Sequence, residues 1–171
     1  MKGTTLLQRQ HRRIEQMIDA LDAERYLRGA LLQELADDLA ATMTMEEAIF
    51  YPAVREVLGG VVCYGDESHA QATRILQRIF AVERDDVAFR RELAELREHL
   101  HGHFEEEGQR VFPIVEQAFS PEELERLGQQ MRQLHRAIVE SDGEPTSSSI
   151  GRLSRADWYH FEMEASARET R

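Results

Sequence analysis

Five residues of this chain have types and spacings that could do chemistry: His11, Glu46, His69, His103 and Glu107. Each interrupts an apolar stripe with the three- and four-residue spacing of a helix face. The first stripe is Leu7, His11, Ile14, Ile18, Leu21. The second is Leu32, Leu35, Leu39, Thr42, Glu46, Ile49, Ala53, Val57. The third is Val62, Asp66, His69, Thr73, Leu76, Ile79. The fourth is Leu93, Leu96, Leu100, His103, Glu107, Val111, Ile114. Burying an unpaired carboxylate costs several kcal/mol, about 3–5 by the usual measure of a broken buried pair. Four stripes carrying such interruptions have one economical explanation, a shared metal ion that neutralises the acids and accepts the imidazoles. Imidazole and carboxylate donors without thiolate suit iron, manganese or zinc.

Each residue also has a plainer reading. His103 and Glu107, four apart on one face, could satisfy each other by a buried hydrogen bond. A lone core histidine is usually just satisfied, so the weight lies on the convergence of several. His99 flanks the fourth stripe and Glu15 follows His11 by one turn; either could stand in for a missing ligand, but a solvated or supporting role is expected. His101, His135 and His160 read as exposed, and Glu47, Glu105 and Glu106 as a solvated acidic face. Asp66 reads as a helix cap and Cys63 as an inert buried thiol. Phe50, Phe104 and Phe112 read as core or pocket wall, and Tyr51 as a residue that could donate a hydrogen bond to a ligand.

Helices must position these groups. Ala, Leu, Glu, Gln and Arg dominate and Pro is scarce, so intrinsic propensity favours helix. Periodicity predicts helices over about 5–22, 28–58, 62–82 and 87–119, with Gly59-Gly60 stopping the second and Asp85-Asp86 capping the fourth. Ser120-Pro121-Glu122-Glu123 reads as a capping box that opens a fifth helix to about residue 139. Residues 141–151 read as a linker, and Ser154 as the cap of a short last helix carrying Trp158, Tyr159 and Phe161. The expected fold is all-α: an up-down four-helix bundle over 1–119, an additional helix over 120–140, and a linker with a short helix over 141–171. In an up-down bundle, helix lengths measured from each loop put His11, Thr42 and Glu46, His69, and His103 and Glu107 within about one turn of a common layer.

The two halves repeat weakly. Ile14, Ile18 and Leu21 follow His11 at the offsets at which Ala72, Leu76 and Ile79 follow His69. Glu46-Glu-Ala-Ile-Phe-Tyr-Pro52 runs in step with Glu107-Gly-Gln-Arg-Val-Phe-Pro113, and each proline is expected to kink its helix. The order His, acid, His, His-x-x-x-Glu, with an aromatic-Pro pair after each acid, resembles the hemerythrin-like (HHE cation-binding) family over about residues 5–117. The resemblance implies two irons, with Glu46 and Glu107 as bridges and His11, His69 and His103 as terminal ligands. The family often has His where Thr42 stands, and some members have one where Thr73 stands. It therefore implies one tight and one weak iron site.

The rest of the chain narrows the function. A formal charge of −11 over 171 residues and no basic face argue against nucleic acid. No apolar run approaches the roughly 20 residues of a membrane span, and residues 1–7 carry too little apolar sequence for a signal peptide, so a cytoplasmic location is expected. One cysteine allows no internal disulfide. There is no H-E-x-x-H, and the E-x-x-H spacing of ferritin-like sites occurs only at Glu98 and His101, off the stripe. The primary reading is a non-enzymatic iron protein that binds dioxygen or nitric oxide or senses oxygen, iron or redox state. The alternatives are a peroxide-reducing iron enzyme and a partly metal-depleted bundle that binds a partner. A homodimer is left open.

Overall fold

The computed structural model describes residues 1–23, 26–58 and 63–140. The expectations for Gly59-Gly60, for the 141–151 linker and for the last helix fall outside that range, and those for Cys63 and Asp66 concern side chains that are not described. The described residues form five helices and no strand. Helix α1 is Gly3–Ala23. Helix α2 runs through Arg28–Met45, a π-helical turn Glu46–Phe50, and Tyr51–Leu58. Helix α3 is Cys63–Ala81. Helix α4 runs through Asp86–Glu106, a second π turn Glu107–Val111, and Phe112–Ala118. Helix α5 is Pro121–Glu140.

The caps anticipated in the sequence form. Asp85 accepts hydrogen bonds from the backbone N–H groups of Val87 and Ala88. Ser120 and Glu123 close the reciprocal box, Ser120 N–H to Glu123 Oε2 at 2.8 Å and Glu123 N–H to Ser120 Oγ at 3.3 Å.

The prolines do something other than the simple kinks expected. The Tyr51 N–H donates to the Glu46 carbonyl, and the Phe112 N–H to the Glu107 carbonyl, five residues back in both cases. The backbone stays right-handed helical throughout. A proline has no N–H and its ring crowds the carbonyl four residues earlier; one wide turn ahead of Pro52 and Pro113 relieves that crowding. Each π turn absorbs one extra residue, so the residues beyond it lag their α-helical phase by about 100°. The buried stripe of α2 therefore continues through Phe50, Val54 and Leu58, while Ala53 and Val57 are exposed and Ile49 is only partly buried. In α4 the same slip buries Phe112 and Val115 and leaves Ile114 exposed. The stripes expected from the sequence hold up to each acid; beyond it Val111 stays buried as expected, but Ile49, Ala53, Val57 and Ile114 give way to the residue that follows each.

Helix α1 packs on α2 and α4, α3 packs on α4 and α2, and the C-terminal segments of α2 and α4 meet. Two apolar clusters fill the interior. One holds Ile14 to Leu21 of α1, Leu32 to Leu39 of α2, Ala72 to Phe80 of α3 and Phe89 to Phe104 of α4. The other holds Leu6 and Leu7, the segments of α2 and α4 from Met45 and Val111 onward, and Leu124, Leu127 and Met131 of α5. Helix α1 thus traverses the two clusters in the order opposite to that of α2 and α4, and the candidate site lies between them. Helix α5 packs on α1 and on α2, including its π turn. It approaches the start of α1 closely: a Cβ on Gly128 would collide with the Met1 carbonyl oxygen and sit 2.9 Å from the Gly3 nitrogen.

Met131 has no exposed surface, so α5 belongs to the core of this end of the molecule. Met131→Ala is expected to cost about 2–5 kcal/mol, the usual range for emptying such a site. A urea melt of the two proteins checks it; a change below 0.5 kcal/mol, the scale of surface substitutions, would mean that α5 is only loosely attached.

Candidate metal centre

Four helices each deliver at least one polar group to the layer between the two clusters. His11 comes from α1, Glu46 from the start of the α2 π turn, His69 from α3, and His103 and Glu107 from α4, Glu107 again starting a π turn. The sequence placed these five together, and the structure does bring them together. Glu46, His69 and His103 form one group of facing donor atoms, and His11, Glu46 and Glu107 a second, each group within 4.8 Å. Glu46 is common to both. Its Oε1 is 3.0 Å from His11 Nε2 and its Oε2 is 3.0 Å from His69 Nε2. His69 Nε2 faces His103 Nε2 at 3.3 Å. Glu107 Oε2 is 3.4 Å from His11 Nε2 and 3.9 Å from His103 Nε2.

Both acids are buried, Glu46 at 1% exposure and Glu107 at 2%. Burial by itself would raise the Glu46 pKa, but hydrogen bonds and attraction from His11 and His69 outweigh it and bring it down to about 2. Burial likewise opposes a charge on His69, yet its hydrogen bonds to Glu46 and Glu47 lift it to about 9. Burial, together with the charge of Glu46, pushes Glu107 well up, against a lowering hydrogen bond from Tyr51. His103 is pushed down to about 4, first by burial. The Glu107 Oε2 atom is buried and makes no hydrogen bond. An orphaned carboxylate oxygen facing an imidazole edge, beside two imidazole nitrogens that point at each other, is a donor set that fits a cation.

The walls of the two groups differ. His11 stacks on Phe104, with ring centroids 3.9 Å apart, and lies 6.0 Å from Phe112. His103 instead lines a groove of about 730 Å³ between α3 and α4, with Ser68, Gln71, His99, Gly102 and Glu106 also on its walls.

Among the other polar residues, Glu47 departs from the sequence reading. Glu47 is not just a solvated acid: its Oε1 lies 2.7 Å from His69 Nδ1. Its signal was the doubled Glu46-Glu47. Tyr51 donates to Glu107 Oε1 at 2.7 Å. Glu15 pairs with the exposed His101 at 3.2 Å, and the His99 ring meets the Ser68 carbonyl at 2.9 Å; neither joins the two groups. Thr42 is buried, with its hydroxyl donating to the Asp38 carbonyl at 2.8 Å. Thr73 is half-buried on α3.

The family comparison agrees with this geometry in the first half of the site. Residues 2–63 match the family model of the hemerythrin HHE cation binding domain. The hemerythrin match spans α1 and α2 and so contains His11 and Glu46, while His69, His103 and Glu107 lie beyond it. Neither the curated proteins nor the solved structures hold a significant match to the chain. Among the described residues, no helix is long and apolar enough to cross a membrane.

Two outcomes are expected. The first concerns protein stripped by a chelator. With its folded pKa raised to about 9 against 6.5 unfolded, His69 binds more protons when folded between those values. Its stabilising contribution is complete below about pH 6.5 and lost as the pH climbs to 9, and the raised Glu107 acts in the same direction. The melting temperature of chelator-treated protein should therefore fall from pH 6.5 to pH 9; a flat or rising profile would contradict the arrangement. The second concerns the groove. A Cβ on Gly102 meets nothing within 4 Å, so Gly102→Phe should fold normally and obstruct the groove beside His103. Transfer of metal from the loaded protein to a chelator should slow several-fold, as a stopped-flow trace would show; an unchanged rate would mean that metal leaves by another route.

Proposed function

We propose that the chain is a hemerythrin-like protein, an up-down four-helix bundle, that holds iron at His11, Glu46, His69, His103 and Glu107. The carrying observation is the pair of facing donor groups that share the buried Glu46, with Glu107 Oε2 left without a hydrogen bond. The hemerythrin match over residues 2–63 supports it. In this reading Glu46, His69 and His103 would hold one ion, and His11, Glu46 and Glu107 the other. Iron so held supplies reversible redox chemistry and an affinity for small ligands such as dioxygen or nitric oxide.

The chain's own residues set the terms for that chemistry. Phe104 and Phe112 keep water from the His11 side, and Glu46 and Glu107 offset the cationic charge. The groove between α3 and α4 is a way in for a small molecule. These features favour binding or sensing of a diatomic ligand over turnover of a large substrate; the formal charge of −11 speaks against nucleic acid as a partner, and the proposed place of action is the cytoplasm, away from membranes. The same groove favours one second reading, reduction of peroxide, since it exposes part of the His103 ring.

Thr42 gives this reading its sharpest test. Its hydroxyl is committed to the Asp38 carbonyl, so the His11 group has one imidazole where the other group has two. The purified protein should hold fewer than two irons per chain, one tightly and one weakly. Iron should also raise the melting temperature, since a ligand at a hundredfold excess over Kd contributes about 2.7 kcal/mol. Thr42→His should raise the iron content towards two and slow iron loss to a chelator. Elemental analysis and an iron titration read both. No metal and no thermal shift would leave a structural bundle; two equally tight irons in the wild type would overturn the lopsided site. Turnover of hydrogen peroxide would shift the reading to the enzyme.

A further inference from the structure

Three contacts near the α2 π turn involve residues outside the five donors. Glu47 Oε1 lies 2.7 Å from His69 Nδ1, on the ring edge opposite the nitrogen that faces Glu46 and His103. The Tyr51 hydroxyl lies 2.7 Å from Glu107 Oε1, leaving Oε2 as the unpartnered oxygen. Gly65 of α3 sits against the Tyr51 ring: a Cβ there would be 2.5 Å from Cε2, 2.8 Å from Cζ and 2.9 Å from the hydroxyl oxygen. The Tyr51 ring thereby lies against α3 at Gly65 and at His69, whose ring centroid is 5.9 Å away.

The backbone explains why both residues reach the site. In an unbroken α-helix, Tyr51 would be rotated about 140° from Glu46, five residues earlier. The wide turn recovers most of that angle, so Glu46, Glu47 and Tyr51 all address the centre from one segment. The second half of the chain has the same π turn without the same chemistry. Gly108 stands in place of Glu47 and Phe112 in place of Tyr51. The weak internal repeat thus keeps the geometry and drops the polar support on one side.

We infer that Glu47 and Tyr51 are positioning residues that fix which atoms of His69 and Glu107 are offered to the metal, with Gly65 providing the space Tyr51 needs. This rests on the metal-binding reading above. A carboxylate on Nδ1 keeps the proton there and leaves the Nε2 lone pair pointing inward; removing such a partner typically costs 10–100-fold in metal affinity. A phenol on Oε1 holds the Glu107 carboxylate so that Oε2 faces His11. The two supports act on different groups, Glu47 on the His69 and His103 pair and Tyr51 on the His11 side.

Zinc titration of the full chain tests this, because zinc accepts imidazole and carboxylate ligands and is diamagnetic. Glu47 is half-exposed, so Glu47→Ala should fold. It should weaken one zinc step about 10–100-fold and shift or lose the His69 Nδ1–H proton signal of the zinc-loaded protein. Tyr51→Phe and Gly65→Ala should each weaken the other step. In the double variant Gly65→Ala should add nothing to Tyr51→Phe, since both act through the same hydroxyl. If Tyr51→Phe does not fold, the Gly65→Ala titration alone decides its half. Zinc affinity within twofold of wild type in Glu47→Ala with an unmoved Nδ1–H signal overturns the role of Glu47, and additive losses at Gly65 and Tyr51 overturn that of Tyr51. A wild type that binds no metal at all overturns the functional proposal instead.

Discussion

Two carboxylates, Glu46 and Glu107, sit almost fully out of water between two apolar clusters, and the surrounding structure answers that cost. Water would solvate each of them by several kcal/mol. The protein replaces it with imidazoles: His11 reaches both acids, and His69 reaches Glu46. The compensation is unequal. Glu46 has two imidazole partners and is held strongly ionised, while Glu107 has one hydrogen-bonded oxygen and one bare one and is pushed towards its neutral form. A site left in that condition is poised for a cation, because a cation removes the repulsion between the acids and uses the bare oxygen.

The π turns connect this electrostatic problem to the backbone. Both begin at the acids and end just before the proline pairs. By opening the helix there, the chain lets an acid and an aromatic five residues later share one side. The aromatic is Tyr51 in one helix and Phe112 in the other, so one donates to the opposing carboxylate while the other packs near His11 and Phe50. A repeated backbone device has become two different environments. One is polar, backed by Glu47 and next to the α3–α4 groove; the other is apolar and closed by Phe104.

Stability and function draw on the same layer. Helix α5 supplies no donor to either group, yet it packs on α1 and on the α2 π turn that carries Glu46. Its apolar face, Leu124, Leu127 and Met131, joins the cluster containing Phe50, Tyr51 and Phe112. Rigid placement of an acid at the start of a π turn needs such backing, because a π turn alone is a marginal element.

Sequence alone determined much of this. Apolar spacing located the helices, the Ser120–Glu123 box and the Asp85 cap could be read directly, and His11, Glu46, His69, His103 and Glu107 stood out because acids and imidazoles do not belong in apolar stripes. Periodicity holds only while the helix keeps 3.6 residues per turn. That is why the burial of Val54, Leu58 and Val115, in place of Ala53, Val57 and Ile114, was decided by the π turns. Partner choice between helices has no local signature at all. Glu47 read as surface because its own helix gives it no partner; only the approach of α3 supplies His69 Nδ1. Gly65 read as nothing in particular, because its meaning is the Tyr51 ring from another helix occupying the space of a side chain. The sequence determined which groups could bind a metal, and tertiary packing decided which of their atoms face one, because that choice is made by neighbours far away along the chain.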